Sequence, residues 1–167
     1  MGEVTLLPEM PEVETLRRGL VRAAVGQKIT VVQVTDERVL KQCSIGDFAE
    51  RLTDTTVKAV NRRGKFLLFE MGCGSLPSFH LVVHLNMKRS IRRFAADVPT
   101  QKYECVRVGL STGDVLAYTD MWTWGGWHFD DASEYTQVSD VASMGPEPLD
   151  DGWSGEVLAG RLAGRRG

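Results

Sequence analysis

Apolar residues recur along this chain in two rhythms. From Pro11 the rhythm is helical: Val13, Leu16, Leu20 and Ala24 fall three or four apart and form one stripe. Pro11 suits the first helical turn, Glu12 and Glu14 complement the positive end of the helix dipole, and Gly26 can end the helix. Arg17, Arg18 and Arg22 lie off the stripe. After Gly26 the rhythm shortens. Segments 28–35, 55–61, 65–71, 79–85, 90–94, 105–110 and 115–118 read as strands, several of them separated by turn signals such as Arg63-Gly64 and Ser111-Thr112-Gly113-Asp114. A short helix is expected over 45–52, with Ser44 placed to cap it. The pattern loosens after Val138, where Gly145-Pro146-Glu147-Pro148-Leu149 reads as a rigid loop and 155–164 as a short helix. The order of elements predicts an α+β, mainly β fold: an antiparallel β-sandwich or flattened barrel with the N-terminal helix packed on it.

Composition narrows this picture without deciding function. The 167 residues suit one domain, and the apolar (43%) and charged (25%) fractions are those of an ordinary globular protein. A net charge of −2 carries no global nucleic-acid signal, so that case must come from local clusters. Cys43, Cys73 and Cys105 are far apart and form no Cys-x-x-Cys pair, so no structural zinc site and no cofactor is expected within this chain. Isolated cysteines fit a reducing compartment. No apolar run approaches the roughly 18 residues of a spanning helix, and no basic-then-apolar signal opens the chain, so no membrane partner is expected.

Three segments carry a family resemblance. They are Pro8-Glu9-Met10-Pro11-Glu12-Val13-Glu14-Thr15-Leu16-Arg17-Arg18-Gly19, then Arg62-Arg63-Gly64-Lys65-Phe66-Leu67-Leu68-Phe69, then His84-Leu85-Asn86-Met87 followed by Tyr118-Thr119-Asp120 and Gly145-Pro146-Glu147-Pro148-Leu149. In this order and spacing the chain resembles the N-terminal domain of the formamidopyrimidine-DNA glycosylase / endonuclease VIII family. The resemblance implies base-excision repair of damaged double-stranded DNA, with N-glycosylase and AP lyase activity through an N-terminal proline Schiff base. It implies Pro8 as nucleophile, Glu9 as the acid/base group, Glu12 as a support and Lys65 as a contact to phosphate or lesion. His84, Met87, Lys88, Arg89, Trp122 and Trp124 are the implied DNA-binding residues, Met87 filling the gap left by the extruded base. A cytoplasmic location follows, nucleoid-associated in a bacterium.

The chemistry stands on its own terms. A free α-amine has a pKa of about 7.7–8.0, so a useful fraction is unprotonated near neutral pH. A carboxylate one residue away can shuttle protons in the same pocket. A helix N-terminus beside it favours an anionic substrate. An apolar wedge suits base extrusion, which chemistry on a duplex base requires.

Departures from the family pattern shape the expectation. Met1 to Leu7 precede Pro8, and within the chain its nitrogen is a tertiary amide that cannot attack. Translation starting at Leu7, read as methionine and then removed, would free it. The expected layout is an extension over 1–7, a catalytic domain over 8–150 and a short tail over 151–167. The family's helix-two-turn-helix and zinc finger lie outside it, so a separate chain is a candidate partner to supply them. Where the family commonly reads Tyr-Thr-Asp-Pro-Arg-Arg-Phe-Gly, this chain reads Tyr118-Thr119-Asp120-Met121-Trp122-Thr123-Trp124-Gly125. Trp122 cannot make the bidentate base contact of an arginine, although aromatic stacking, which tolerates any sequence, stays open. A family His-Asp-His run reads Tyr103-Glu104-Cys105, and the glycine after His-Leu is Asn86. Trp127 is expected in the core. The alternative to an enzyme is a degenerate or truncated relative that binds DNA or a protein without catalysis.

Overall fold

The structure is a computed structural model that describes residues 9–74, 76–85, 89–131, 135, 138–145, 147 and 152–163. Helix α1 (Met10–Ala24) forms where the stripe places it, with Val13, Leu20 and Ala24 buried and Leu16 packed partly against the same core. Glu9 is its N-cap in extended conformation, and Glu12 Oε2 accepts the Glu9 N–H at 3.1 Å, satisfying a donor the helix leaves free. Gly26 leaves the helix at φ +81°, a left-handed conformation that favours glycine.

Strand β1 (Ile29–Val34) follows, then a 3-10 turn over Glu37–Val39 and helix α2 (Ile45–Leu52). Ser44 caps α2 by accepting the Asp47 N–H at 3.1 Å. The other strands are β2 (Thr56–Arg63), β3 (Phe66–Cys73), β4 (Leu76–His84), β5 (Arg89–Ala95), β6 (Glu104–Leu110), β7 (Asp114–Asp120) and β8 (Gly126–Asp130). Helices α3 (Ser139–Ala142) and α4 (Gly155–Leu162) come last. The strands build two four-stranded sheets of order β1-β6-β7-β5 and β2-β3-β4-β8. All pairings within them are antiparallel. Backbone bonds join the sheets along one edge, Gly26 N–H to Val57 O at 2.8 Å and Ile29 N–H to Thr55 O at 2.8 Å. The fold is the expected β-sandwich with α1 on it.

β8 and α3 were not expected from the sequence. β8 opens on Gly126, directly after Gly125, lacks β-branched residues and shows no strict in-and-out alternation. Its place is fixed by pairing with β4, His84 opposite Gly126 and His80 opposite Asp130. Trp127 lies in the core as expected, edge-on to Phe48 (5.7 Å) and to Tyr118 (5.4 Å). Phe66, Leu68 and Val82 form a second, smaller cluster with Val138 and Val141 of the α3 segment. That cluster gives α3 its reason to fold there. The Gly-Pro-Glu-Pro-Leu loop falls outside the described residues except at Gly145 and Glu147.

Two polar anchors interrupt this apolar packing. The first ties α1 to β2. Glu14 accepts from Arg17, Arg18 and Arg62, and Arg17 also donates to Val60 O at 3.2 Å. The second is the Arg89–Asp120 pair at 2.7 Å, whose side chains are both 0% exposed.

The second anchor has a measurable cost of removal. Asp120→Ala strands a buried guanidinium, and the loss of stability should be on the order of 3–5 kcal/mol in denaturant unfolding; a loss within measurement error would contradict the pairing. The first anchor should show in pH. Hydrogen bonding from Arg17, opposed by burial and reinforced by Arg18 and Arg62, holds the Glu14 carboxyl down from 4.5 to about 2. A depressed carboxyl stabilises the fold fully above its unfolded value and loses that effect as pH falls through the folded one. The stability gap between the wild type and Glu14→Gln should therefore be widest above pH 4.5 and close toward pH 2. A gap independent of pH would contradict it.

Candidate functional site

The β2–β3 hairpin turns on two residues, Gly64 and Lys65, since Arg63 pairs with Phe66. Gly64 takes φ +54°, which suits a tight hairpin turn. Its N–H donates to Glu147 Oε2 at 3.2 Å, and Lys65 O accepts the Leu85 N–H at 2.9 Å, so the turn is held from two sides. Arg62, only 9% exposed, reaches Glu14 on one side and Gly64 O (3.1 Å) on the other, with Nη1 2.5 Å from Glu147 Oε1. The last contact is an ion pair without hydrogen-bond alignment.

This scaffold brings Lys65 to the start of α1. Its ammonium lies 2.8 Å from Glu9 Oε1, and both side chains keep solvent access, 36% and 60% exposed. Glu12 sets the backbone of Glu9 through the cap bond. Lys65, 56 positions away in sequence, therefore meets the Glu9–Glu12 cap at the N-terminus of α1, Glu9 being the residue that follows Pro8. Pro8 itself lies outside the described residues, as do Met87 and Lys88.

His84 ends β4 opposite Phe66, and the two rings stack at 4.1 Å and 8°. Burial, with Arg89 second, pushes the imidazole below its usual range, so it is neutral at pH 7 and can donate a hydrogen bond without carrying charge. Among the described residues no three His, Cys, Asp or Glu side chains gather to hold a metal.

The expected role of Arg89 as a DNA contact needs correction. The residue starts β5 with its guanidinium wholly buried against Asp120, out of reach of a phosphate. Asp120 was not singled out as a site residue, yet its carboxylate organises the next loop. Oδ1 accepts the Trp122 N–H (3.0 Å) and the Thr123 N–H (2.9 Å); Oδ2 accepts the Gly125 N–H (2.8 Å), Arg89 Nε–H and the Tyr118 hydroxyl (3.2 Å). Gly125 is required here: a Cβ would sit 1.9 Å from the Tyr118 hydroxyl oxygen. A sequence signal was present, an aspartate opening a turn that ends in Gly-Gly. On this loop Trp122 and Trp124 point outward, 48% and 63% exposed, their rings 5.8 Å apart at 28°.

Against known proteins, residues 7–127 match the family model described as formamidopyrimidine-DNA glycosylase N-terminal domain. The formamidopyrimidine-DNA glycosylase of Salmonella arizonae is 37% identical over 160 residues, 96% of this chain and 56% of that protein. That of Salmonella paratyphi B is 36% identical over the same shares. The chain thus spans little more than half the length of these curated relatives. Among solved structures, a Lactococcus lactis Fpg bound to DNA containing an abasic site superposes with a TM-score of 0.82 at 30% identity, over 93% of this chain and 56% of that one. An inhibited form bound to DNA containing N7-benzyl-Fapy-dG gives 0.66 at 34%, over 73% and 43%. Motif order, fold and match agree: the chain belongs to the formamidopyrimidine-DNA glycosylase family and carries its N-terminal domain.

Proposed function

We propose that this domain excises oxidised bases from duplex DNA and nicks the strand, with the Pro8 nitrogen as nucleophile. The observation that carries the reading is the convergence of Glu9, Glu12 and Lys65 at the N-terminus of α1. The family match beginning at residue 7, directly before Pro8, supports it. So does the description of the neighbours as complexes with damaged DNA.

The secondary amine of Pro8 attacks C1′ of the damaged nucleotide and displaces the base. Glu9 delivers the proton that the leaving base and opening sugar require. Loss of the ring C–O bond gives a Schiff base between the nitrogen and C1′, and elimination of phosphate from it nicks the strand. Glu12 keeps Glu9 and Pro8 in place. The Lys65 ammonium, held at the same point by Glu9, meets a phosphate or the lesion. Neutral His84 donates to a phosphate oxygen, and Met87 and Lys88 fill and flank the vacated stack. Phosphate contacts dominate DNA affinity, so binding by these residues alone should be weaker than when the remaining half of the relatives' length is supplied, in the same chain or another.

A second reading, a non-catalytic DNA-binding module, is favoured by one observation: with residues 1–7 attached, the Pro8 nitrogen is an amide. One comparison separates the two. Protein beginning at Pro8 should release oxidised bases and nick the strand, while protein retaining residues 1–7 should bind without cleaving. No cleavage by the Pro8 form on any oxidised lesion would remove the excision reading. The rate should rise with pH through about 7.7–8.0 as the amine loses its proton. Glu9→Gln should slow release of an intact lesion by about 100-fold or more and slow cleavage at a preformed abasic site much less, since there only the opening sugar, and no leaving base, needs a proton. Equal losses on both substrates would contradict that role.

A further inference from the structure

Lys65 stands on a hairpin turn, the kind of position where a chain is least constrained. Here the backbone groups that bracket it are both committed. The Lys65 O accepts the Leu85 N–H at 2.9 Å, and the Gly64 N–H donates to Glu147 Oε2 at 3.2 Å, 83 positions away in sequence. Glu147 belongs to the segment that leaves the sandwich toward α4. Arg63, the residue before the turn, holds the same segment: its Nη2 donates to Met144 O at 3.2 Å and to Gly145 O at 2.9 Å. Met144 also lies against the turn, since a Cβ on Gly64 would be 3.3 Å from its Cε. Upstream, Val138 and Val141 fix the segment to the sheet by packing on Phe66, Leu68 and Val82. Downstream, Glu147 O accepts the Trp153 indole N–H at 2.6 Å, two residues before α4 begins.

We infer that Glu147 and Arg63 are positioning residues for Lys65: they strap the exiting segment to the hairpin turn, and the strap holds the ammonium beside Glu9. The Glu147 side chain is only 14% exposed, and a carboxylate so placed needs partners to offset its desolvation. Both partners found among the described residues, the Gly64 N–H and Arg62, lie on the hairpin rather than on its own segment. Without the Glu147 bond the Gly64 N–H loses its acceptor, the peptide before Lys65 is free to turn, and the long side chain swings with it. A displacement of about 1 Å at a reacting group can cost on the order of 100-fold in rate. The strap therefore couples the place of the Lys65 ammonium to the path by which the chain leaves the sandwich. The catalytic consequence rests on the place given to Lys65 in the reading above, while the geometric claim stands without it.

Cross-linking of the full chain reads that geometry without DNA and without a free Pro8 amine. A carbodiimide activates the Glu9 carboxyl, the Lys65 amine captures it as an amide where the two meet, and mass spectrometry counts the joined peptides. The Lys28–Asp54 pair, 2.6 Å apart and sharing no residue with the strap, gives an internal control. Glu147→Ala should lower the Glu9–Lys65 link by about fivefold or more and leave the control link unchanged. Glu147→Gln should keep most of the link, because its amide oxygen still accepts the Gly64 N–H. Arg63→Ala should lower the link as well. A link as strong in Glu147→Ala as in the wild type would overturn the inference. So would a loss of both links together, which would make Glu147 a support of the whole fold, or a loss in Glu147→Gln as large as in Glu147→Ala. Activity supplies a second arm. In protein beginning at Pro8, Glu147→Ala and Lys65→Met should each slow cleavage at an abasic site. The double variant should be no slower than Lys65→Met alone, since the glutamate acts through the lysine. Losses that multiply would overturn the inference. An inactive Pro8 form that keeps the cross-linking pattern would strike the excision reading and uphold the strap.

Discussion

Arg62 is the residue on which the site's geometry depends. Its guanidinium is almost buried between α1 and the β2–β3 turn, where it meets Glu14, Gly64 O and Glu147. A charge in that position needs several partners at once to offset its desolvation. The three partners come from the helix, the turn and the 144–147 segment, so one side chain fixes their mutual placement. With α1 and the turn locked, Lys65 and Glu9 have little choice but to meet. The 2.8 Å contact between them is a result of the scaffold rather than a source of its stability, because a largely exposed ion pair contributes little.

The same logic is repeated on the other sheet with a different product. Arg89 and Asp120 neutralise each other inside the sandwich, and the carboxylate uses its remaining acceptor capacity to shape the 120–125 loop. In both places a buried arginine and an acid hold a surface segment whose own residues stay accessible. At the α1 terminus those residues are ionisable and suited to proton and phosphate chemistry. At the loop they are aromatic and suited to contact without bond making. The base excision proposed above would draw on both kinds of surface.

Much of this was legible along the chain. The α1 stripe, the Ser44 cap and the turn at Gly64 are local signals, and each lies where the pattern places it. β8 was not legible, because its Gly-Trp-His-Phe-Asp run has no β-branched residue and no strict alternation, and its strand pairing is with β4. Arg89 was misread for a related reason. A basic residue in a basic cluster looks solvated until its partner, Asp120, arrives from a strand pairing 31 positions away. The meeting of Glu9 and Lys65, separated by 56 positions, has no periodicity behind it. Family resemblance pointed to those residues, while the structure supplies their distance and the role of Arg62 in creating it.

The central claim is that the chemistry belongs to the Pro8 nitrogen, next in sequence to Glu9, and not to the amine of Lys65 that meets Glu9. Reduction with borohydride during reaction with abasic-site DNA fixes any Schiff base as a stable amine, and peptide mapping of the adduct then locates the sugar. With protein beginning at Pro8, the sugar should be found on the N-terminal nitrogen. Attachment to Lys65 Nζ, with Pro8 unmodified, would contradict the claim and move the nucleophile to the hairpin turn.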